Sequence, residues 1–166
     1  MSAGSENQIS VDLKLQLDSL GADAAKAGGP HVDPALRVAA YWAHCEATLS
    51  QAGAGSSTAT TQVWDSLLKR PAYAAAAETW LSYALHERSH GGAAAARKVF
   101  KRCYARRLDF AAGAPSPGAS SGQEAVCIAW LRMEREFGGA DDYFAAEAKV
   151  RAASLEPLSL IPLPVH

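Results

Sequence analysis

Apolar side chains recur at helical spacing through most of the chain after residue 34. Six stretches place apolar or aromatic residues three and four positions apart, with polar residues between them. Glycine, proline or small polar residues separate the stretches, and these residues interrupt helices. The pattern predicts helices over 35–50, 58–70, 72–90, 93–108, 123–137 and 141–153.

The two ends of the chain lack this periodicity. Residues 9–20 alternate apolar and polar positions, which is typical of a strand, but no second strand is predicted to pair with them. We therefore predict one helix there, within a flexible N-terminal segment over 1–34. Three prolines in 154–166 predict an irregular tail.

A longer period groups the helices into pairs. On the first helix of each pair a glutamate follows an aromatic residue by four positions, and the second helix carries an apolar-aromatic dipeptide. These features recur at intervals of 41 and 47 residues between glutamates. They predict three helix pairs over 35–70, 72–108 and 123–153, stacked as a right-handed α–α superhelix. The repeated residues are Trp42, Glu46, Trp64, Tyr83, Glu87, Phe100, Trp130, Glu134 and Phe144.

Composition favours the same all-α fold. The chain contains 36 alanines, whereas valine, isoleucine and threonine together number only 16. Alanine is the best helix former, and branched side chains are what β-sheets prefer. The net charge of −1 also excludes a nucleic-acid binder that acts through a whole-molecule positive field.

The second helix pair resembles a known repeat. Its segment TWLSYALHERSHGGAAAARKVFKRC over 79–103 includes Trp80, the glutamate Glu87 and an Ala-Arg-x-x-Phe sequence that contains Arg97. This segment resembles the half-a-tetratricopeptide (HAT) repeat of RNA-processing proteins. With QVWDSLLKR before it and VCIAWLRMEREFGG after it, the chain closely resembles, over about 35–150, the C-terminal HAT region of spliceosome-recycling factors of the U4/U6 small nuclear ribonucleoprotein.

The resemblance implies a nuclear scaffold that is not an enzyme and needs no cofactor or metal. It implies a homodimer that recruits ubiquitin-specific proteases or spliceosomal proteins, makes at most indirect contact with RNA, and does not enter a membrane. Another HAT scaffold, acting in splicing, polyadenylation or ribosomal-RNA processing, is the alternative within this family.

One motif favours a different class of function. His86-Glu87-Arg88-Ser89-His90 spells H-E-x-x-H, which on a helix can place two histidines on one face for zinc, with the glutamate as general base. A zinc hydrolase using His86 and His90 is therefore the enzyme alternative. Its third ligand is not evident, and only elimination suggests Glu124 or Glu134. Two surface histidines are the simpler interpretation.

A basic face is the candidate partner surface. The residues Lys98, Lys101, Arg102 and Arg106 share one helix, where they can bind an acidic protein or an RNA backbone, or form an ordinary solvated face.

The repeated glutamates are predicted to be structural. A carboxylate on an apolar helix face is costly unless it is paired or hydrogen-bonded. For Glu87 we expect the partner to be Arg97 on the following helix, or a nearby tyrosine or tryptophan donor.

Overall fold

The computed structural model describes residues 36–53, 58–110 and 121–155, together with Val11 and Leu15. These residues are mostly helical and contain no strand, which confirms the all-α prediction. Val11 and Leu15 are helical and exposed, while the rest of the helix predicted over 9–20 lies outside the described residues. The other helices are α1 (Arg37–Gln51), α2 (Ala59–Leu68), α3 (Pro71–Ala75), α4 (Ala77–Cys103), α5 (Gly122–Phe137) and α6 (Ala140–Leu155).

Helix α4 folds back on itself at Gly92. This residue has φ 75° and ψ −174°, so the chain reverses between a first arm, 77–91, and a second arm, 93–103. The Arg102 guanidinium lies 5.5 Å from the Trp80 ring, although 22 residues of straight helix would separate them by about 33 Å. The two arms therefore pack antiparallel, and the reversal falls where the sequence predicts a helix end.

The helix predicted over 72–90 is divided at Ala76. This residue is extended, with φ −87° and ψ 126°. The Ala77 amide donates to the Asp109 carbonyl at 2.9 Å, and the Asp109 amide donates to the Ala75 carbonyl at 2.9 Å. A contact with chain more than thirty residues away thus overrides the helix propensity of the alanine run.

Capping and glycines set the limits of the last two helices. The Ser121 hydroxyl accepts from the Glu124 amide at 3.2 Å and caps the start of α5. Helix α5 ends before Gly138-Gly139, and α6 begins with Asp141 and Asp142 in its first turn, where acids favour the helix dipole. Helix α6 continues to Leu155, two residues beyond its predicted end.

The core runs through consecutive helices. Helix α1 packs on α2, the two arms of α4 connect α1 to α5, and α5 packs on α6. The buried side chains are mainly aromatic residues and alanines, as expected for closely approaching helices. Within the described part of the chain, no helix is both long and apolar enough to span a membrane.

Candidate protein-binding surface and the junctions that shape it

The same kind of aromatic contact occurs at two junctions between successive predicted helix pairs. At the first junction, α2 meets the first arm of α4, and Trp64 stacks on Tyr83 with ring centroids 5.4 Å apart. At the second junction, the second arm of α4 meets α5, and Phe100 stacks on Trp130 at 6.2 Å. In both cases the aromatic residue of one pair lies nearly parallel to the aromatic residue that precedes the next glutamate by four positions.

The second junction contains a buried ion pair. The side chain of Glu134 is inaccessible to solvent, and Arg97 donates to its two oxygens at 2.6 and 2.7 Å. The Trp130 indole donates to the same carboxylate at 2.9 Å. Arg97 also contacts Asp142 of α6 at 2.8 Å. Hydrogen bonding to Glu134 is the main cause that raises the pKa of Arg97, so the guanidinium joins three helices in its charged form.

At the first junction, the residue that corresponds to Arg97 is a threonine, which is a weaker partner for the next glutamate. Thr61 precedes Trp64 by three residues, just as Arg97 precedes Phe100. Burial, followed by the charge of Asp65, raises the pKa of the half-buried Glu87, whereas the charges of His90 and Lys98, and then hydrogen bonding from Thr61, lower it. Thr61 and Glu87 line the same cavity. The same helix position thus faces the next glutamate at both junctions, but it carries a hydroxyl at one and a guanidinium at the other.

The glutamate of the first helix pair is held within its own helix. The Trp42 indole donates to Glu46 at 3.0 Å, and both residues are buried. This bond repeats the one between Trp130 and Glu134 on α5. A tryptophan four residues before a glutamate therefore satisfies one carboxylate oxygen in two of the three pairs.

The proposed pairing of Arg97 with Glu87 is wrong. Arg97 lies three residues before Phe100 on the second arm, so it shares the helix face that packs on α5. Its guanidinium consequently binds Glu134 of the next pair instead of the glutamate of its own pair.

The prediction that Phe144 lies in the core is also wrong, because the residue is exposed in the structure. Its side chain is 62% exposed, whereas Ala146 is buried on α6. Two residues correspond to about 200° around a helix, so Phe144 and Ala146 lie on nearly opposite faces. The Tyr143-Phe144 dipeptide therefore does not occupy the buried position of Val99-Phe100.

All four cations of the predicted basic face are exposed, but only two of them contact other described side chains. Arg102 forms an ion pair with Asp65 at 2.8 Å, and its guanidinium lies over the Trp80 ring. Arg106 lies over the same ring at 5.2 Å, so both arginines belong to the packing of the α4 hairpin. The remaining members are exposed and make no ion pair with a described residue: Lys98 and Lys101.

The histidines of the H-E-x-x-H motif form a cluster against α1. The His86 and His90 ring centroids are 4.4 Å apart, and His44 of α1 lies 6.1 Å from His90. Burial, followed by the charges of these two histidines, lowers the pKa of His86 to about 4. His86 also packs against Trp64 at 5.9 Å, and its buried Nε2 has no hydrogen-bond partner among the described residues.

The cluster does not converge on a metal site. In the part of the chain that the structure describes, no three histidine, cysteine or acidic side chains are placed to hold an ion. Of the two further ligands that elimination suggested, Glu134 is engaged by Arg97 at the second junction, and Glu124 lies in the first turn of α5.

Two cysteines are buried near the second junction. Burial, and then the neighbouring Cys127, raises the pKa of the Cys103 thiol to about 12. Burial also raises the pKa of Cys127, whose thiol donates to the Tyr104 carbonyl. Both thiols are therefore held in the unreactive protonated form.

An apolar groove lies between the first arm of α4 and α5. Its volume is about 180 Å³, and two large apolar side chains beside it, Leu85 and Phe137, are 57% and 52% exposed. The Arg88 guanidinium lies 4.7 Å from the centre of the Phe137 ring. Leu85 and Phe137 stand outside the repeated positions, so the repeat pattern did not predict this groove.

Comparison with known proteins gives no relative. No protein-family model, curated protein or solved structure matches the chain. The observations that bear on function are therefore the junctions, the groove and the sequence pattern.

Proposed function

We propose that this chain is a protein–protein interaction scaffold of nuclear RNA processing, built as an α–α superhelix of three HAT-type helix pairs. The observation that supports the proposal most is the shared geometry of the two junctions. Each stacks an aromatic residue on the aromatic residue of the next pair, and each places the side chain three positions earlier toward the next glutamate. Stacked modules of this kind present extended surfaces rather than enclosed active sites.

The resemblance of 35–150 to HAT repeats supplies the biological setting of the proposal. It favours the C-terminal HAT region of a U4/U6 small nuclear ribonucleoprotein recycling factor, which acts in the nucleus, dimerises and recruits ubiquitin-specific proteases. Under this proposal the chain holds its partners in fixed geometry and performs no chemistry itself.

Capture of partner proteins tests the proposed role in nuclear RNA processing. The tagged full chain is incubated with nuclear extract, and the bound proteins are quantified by mass spectrometry. Enrichment of ubiquitin-specific proteases together with U4/U6 components supports the proposal. Enrichment of cleavage and polyadenylation factors or ribosomal-RNA-processing proteins favours another HAT scaffold, and no enrichment of RNA-processing proteins contradicts both.

Two matched variants test whether partner capture depends on the second junction. Arg97→Ala removes the cation of the second junction, whereas Arg151→Ala removes a cation from an exposed pair with Glu147 on α6. We expect the first variant to lose the captured proteins and the second to retain them.

Dimerisation is tested separately by sedimentation equilibrium. Exposed apolar surface at the end of a short helical array favours self-association, and Phe144 contributes such surface on the last described helix. We expect a mass of twice the 17.4 kDa chain at micromolar concentration. A mass of one chain at that concentration contradicts the dimer.

The zinc hydrolase is tested by metal analysis after dialysis. Because His86 packs on Trp64 and no third ligand converges on the cluster in the described residues, we expect no stoichiometric zinc. Zinc retained at one ion per chain, and lost in His86→Ala, would overturn this expectation.

A further inference from the structure

The groove between the first arm of α4 and α5 has an apolar interior. Ala84 and Phe100 contribute from the α4 hairpin, and Met133 contributes from α5. These three side chains are buried, so they belong to the fixed core of the molecule. Its volume of about 180 Å³ provides room for one large apolar side chain of a bound peptide.

Apolar residues also stand exposed on both sides of the groove. Leu85 lies on the α4 side and Phe137 at the end of α5, and each exposes more than half of its surface. Adjacent exposed apolar side chains beside a preformed concavity mark a binding surface more often than isolated ones do.

Two arginines give the groove its charge. Arg88 and Arg132 stand on opposite walls, and neither forms an ion pair with a described residue. Arg88 lies over the Phe137 ring, a position that keeps guanidinium N–H groups available for a carboxylate. Glu136 also lines the groove, so the formal charge of the lining is +1. This positive excess favours an acidic ligand, and each of the two arginines can bind one carboxylate.

We infer that this groove binds a short acidic segment of a partner protein. One leucine or phenylalanine of the segment inserts between Leu85 and Phe137, and its flanking carboxylates bind Arg88 and Arg132. The inference rests on the proposed scaffold function, because it specifies the chemistry of the segment that the scaffold recognises.

Fluorescence anisotropy with two labelled peptides tests the inference. The acidic probe is Gly-Glu-Glu-Leu-Phe-Glu-Glu-Gly, and the matched probe replaces each glutamate with lysine. The full chain is expected to bind the acidic probe at least about tenfold more tightly than the basic probe, because opposite charges select the partner. Equal binding of both probes, or binding of neither, overturns the inference.

Charge reversal locates the binding site. The double variant Arg88→Glu and Arg132→Glu is expected to lose at least about tenfold in affinity for the acidic probe and to gain affinity for the basic probe. The control changes two exposed cations away from the groove, Arg107→Glu and Lys149→Glu, and alters the net charge equally. If the control loses as much affinity, attraction to the whole molecule explains binding and the groove is not the site.

Tighter binding of the basic probe than of the acidic probe cannot result from misfolding, because an unfolded variant is expected to bind neither probe. Leu85→Ala adds a second test, because truncating an exposed residue leaves the fold intact while removing apolar contact. We expect about tenfold weaker binding of the acidic probe, and unchanged binding in Leu85→Ala overturns the insertion of an apolar side chain.

Failure of this inference is distinguishable from failure of the proposed function. If the groove is not the site, the charge-reversed protein still captures RNA-processing proteins from nuclear extract. If the RNA-processing role is wrong, the acidic probe still binds but those proteins are absent from the captured set.

Discussion

At the second junction, Glu134 is fully buried and is bound by both Arg97 and the Trp130 indole. At the first junction, the corresponding Glu87 is half-buried, faces the Thr61 hydroxyl and has a raised pKa. The aromatic stacking is nevertheless of the same kind in both places. Apolar packing therefore sets the repeated geometry, and the polar partner sets how strongly each junction depends on charge.

The cavities beside the two junctions also differ in polarity. The first lies beside a polar cavity of about 180 Å³ that includes His86 and His90, whereas the second lies beside the apolar groove. Acidification should therefore act mainly on the first junction, and loss of a single cation mainly on the second.

The largest expected effect is that of Arg97→Ala. It leaves Glu134 buried with only the Trp130 donor, and an uncompensated buried charge costs about 3 kcal/mol or more. Urea unfolding followed by circular dichroism measures this loss. Arg151→Ala, which removes one partner of the exposed Glu147 pair, should change the free energy of unfolding by less than about 0.5 kcal/mol. Equal effects of the two variants would contradict the assigned role of Arg97.

The second prediction concerns pH and the first junction. The pKa of folded His86 is about 4, below its ordinary 6.5, so the unfolded chain binds the proton more readily than the folded chain. His86 therefore imposes no penalty above pH 6.5 and destabilises the fold as pH falls toward 4, by roughly 2 kcal/mol after allowance for partial exposure. The charges of His90 and His44 contribute to the lowered pKa of His86. Glu87 acts in the opposite sense, because its own pKa is raised and the folded chain therefore binds that proton more readily than the unfolded chain.

Urea unfolding at several pH values between 6.5 and 4 measures this dependence. In His86→Phe, which keeps an aromatic ring against Trp64, most of the pH dependence in this range should disappear. An unchanged dependence would exclude His86 as its source.

The third prediction concerns Gly92, which joins the arm of the first junction to the arm of the second. Its φ of 75° disfavours any side chain, although the space around it is open. With ψ −174° this backbone conformation is essentially restricted to glycine, so Gly92→Ala should cost about 2 kcal/mol from backbone strain alone. Gly139→Ala is the control, since that glycine needs no positive φ and would make only an ordinary contact. Thermal unfolding should separate the two variants clearly.

The smallest expected effect is that of Glu87→Gln. Because burial already disfavours the charged form of Glu87, replacing it with a neutral amide should alter stability by less than about 0.5 kcal/mol. The same substitution at Glu134 should cost several times more, because it breaks a buried ion pair. Comparable urea midpoints for Glu87→Gln and Glu134→Gln would remove the distinction between the junctions.

Sequence periodicity predicted the helices because it reports local burial. It also placed the repeated glutamates next to aromatic residues, and two of them accept hydrogen bonds from the tryptophan four positions earlier. Such contacts lie within one helix, where residue spacing fixes the geometry.

Partner choice between helices was not predictable in this way. Arg97 is 37 residues from Glu134, and Arg102 is equally far from Asp65. The break at Ala76 likewise depends on Asp109, which an alanine-rich sequence does not reveal. Spacing alone also could not decide which face of α6 is buried, so Phe144 was placed in the core although Ala146 occupies it.

A pair of double-mutant cycles tests the central claim, that corresponding positions link successive helix pairs with unequal strength. Arg97→Met with Glu134→Gln reports the second junction, and Thr61→Val with Glu87→Gln reports the first. From urea unfolding, we predict a favourable coupling of about 2 kcal/mol at the second junction and less than about 0.5 kcal/mol at the first. Coupling near zero between Arg97 and Glu134 would contradict the account.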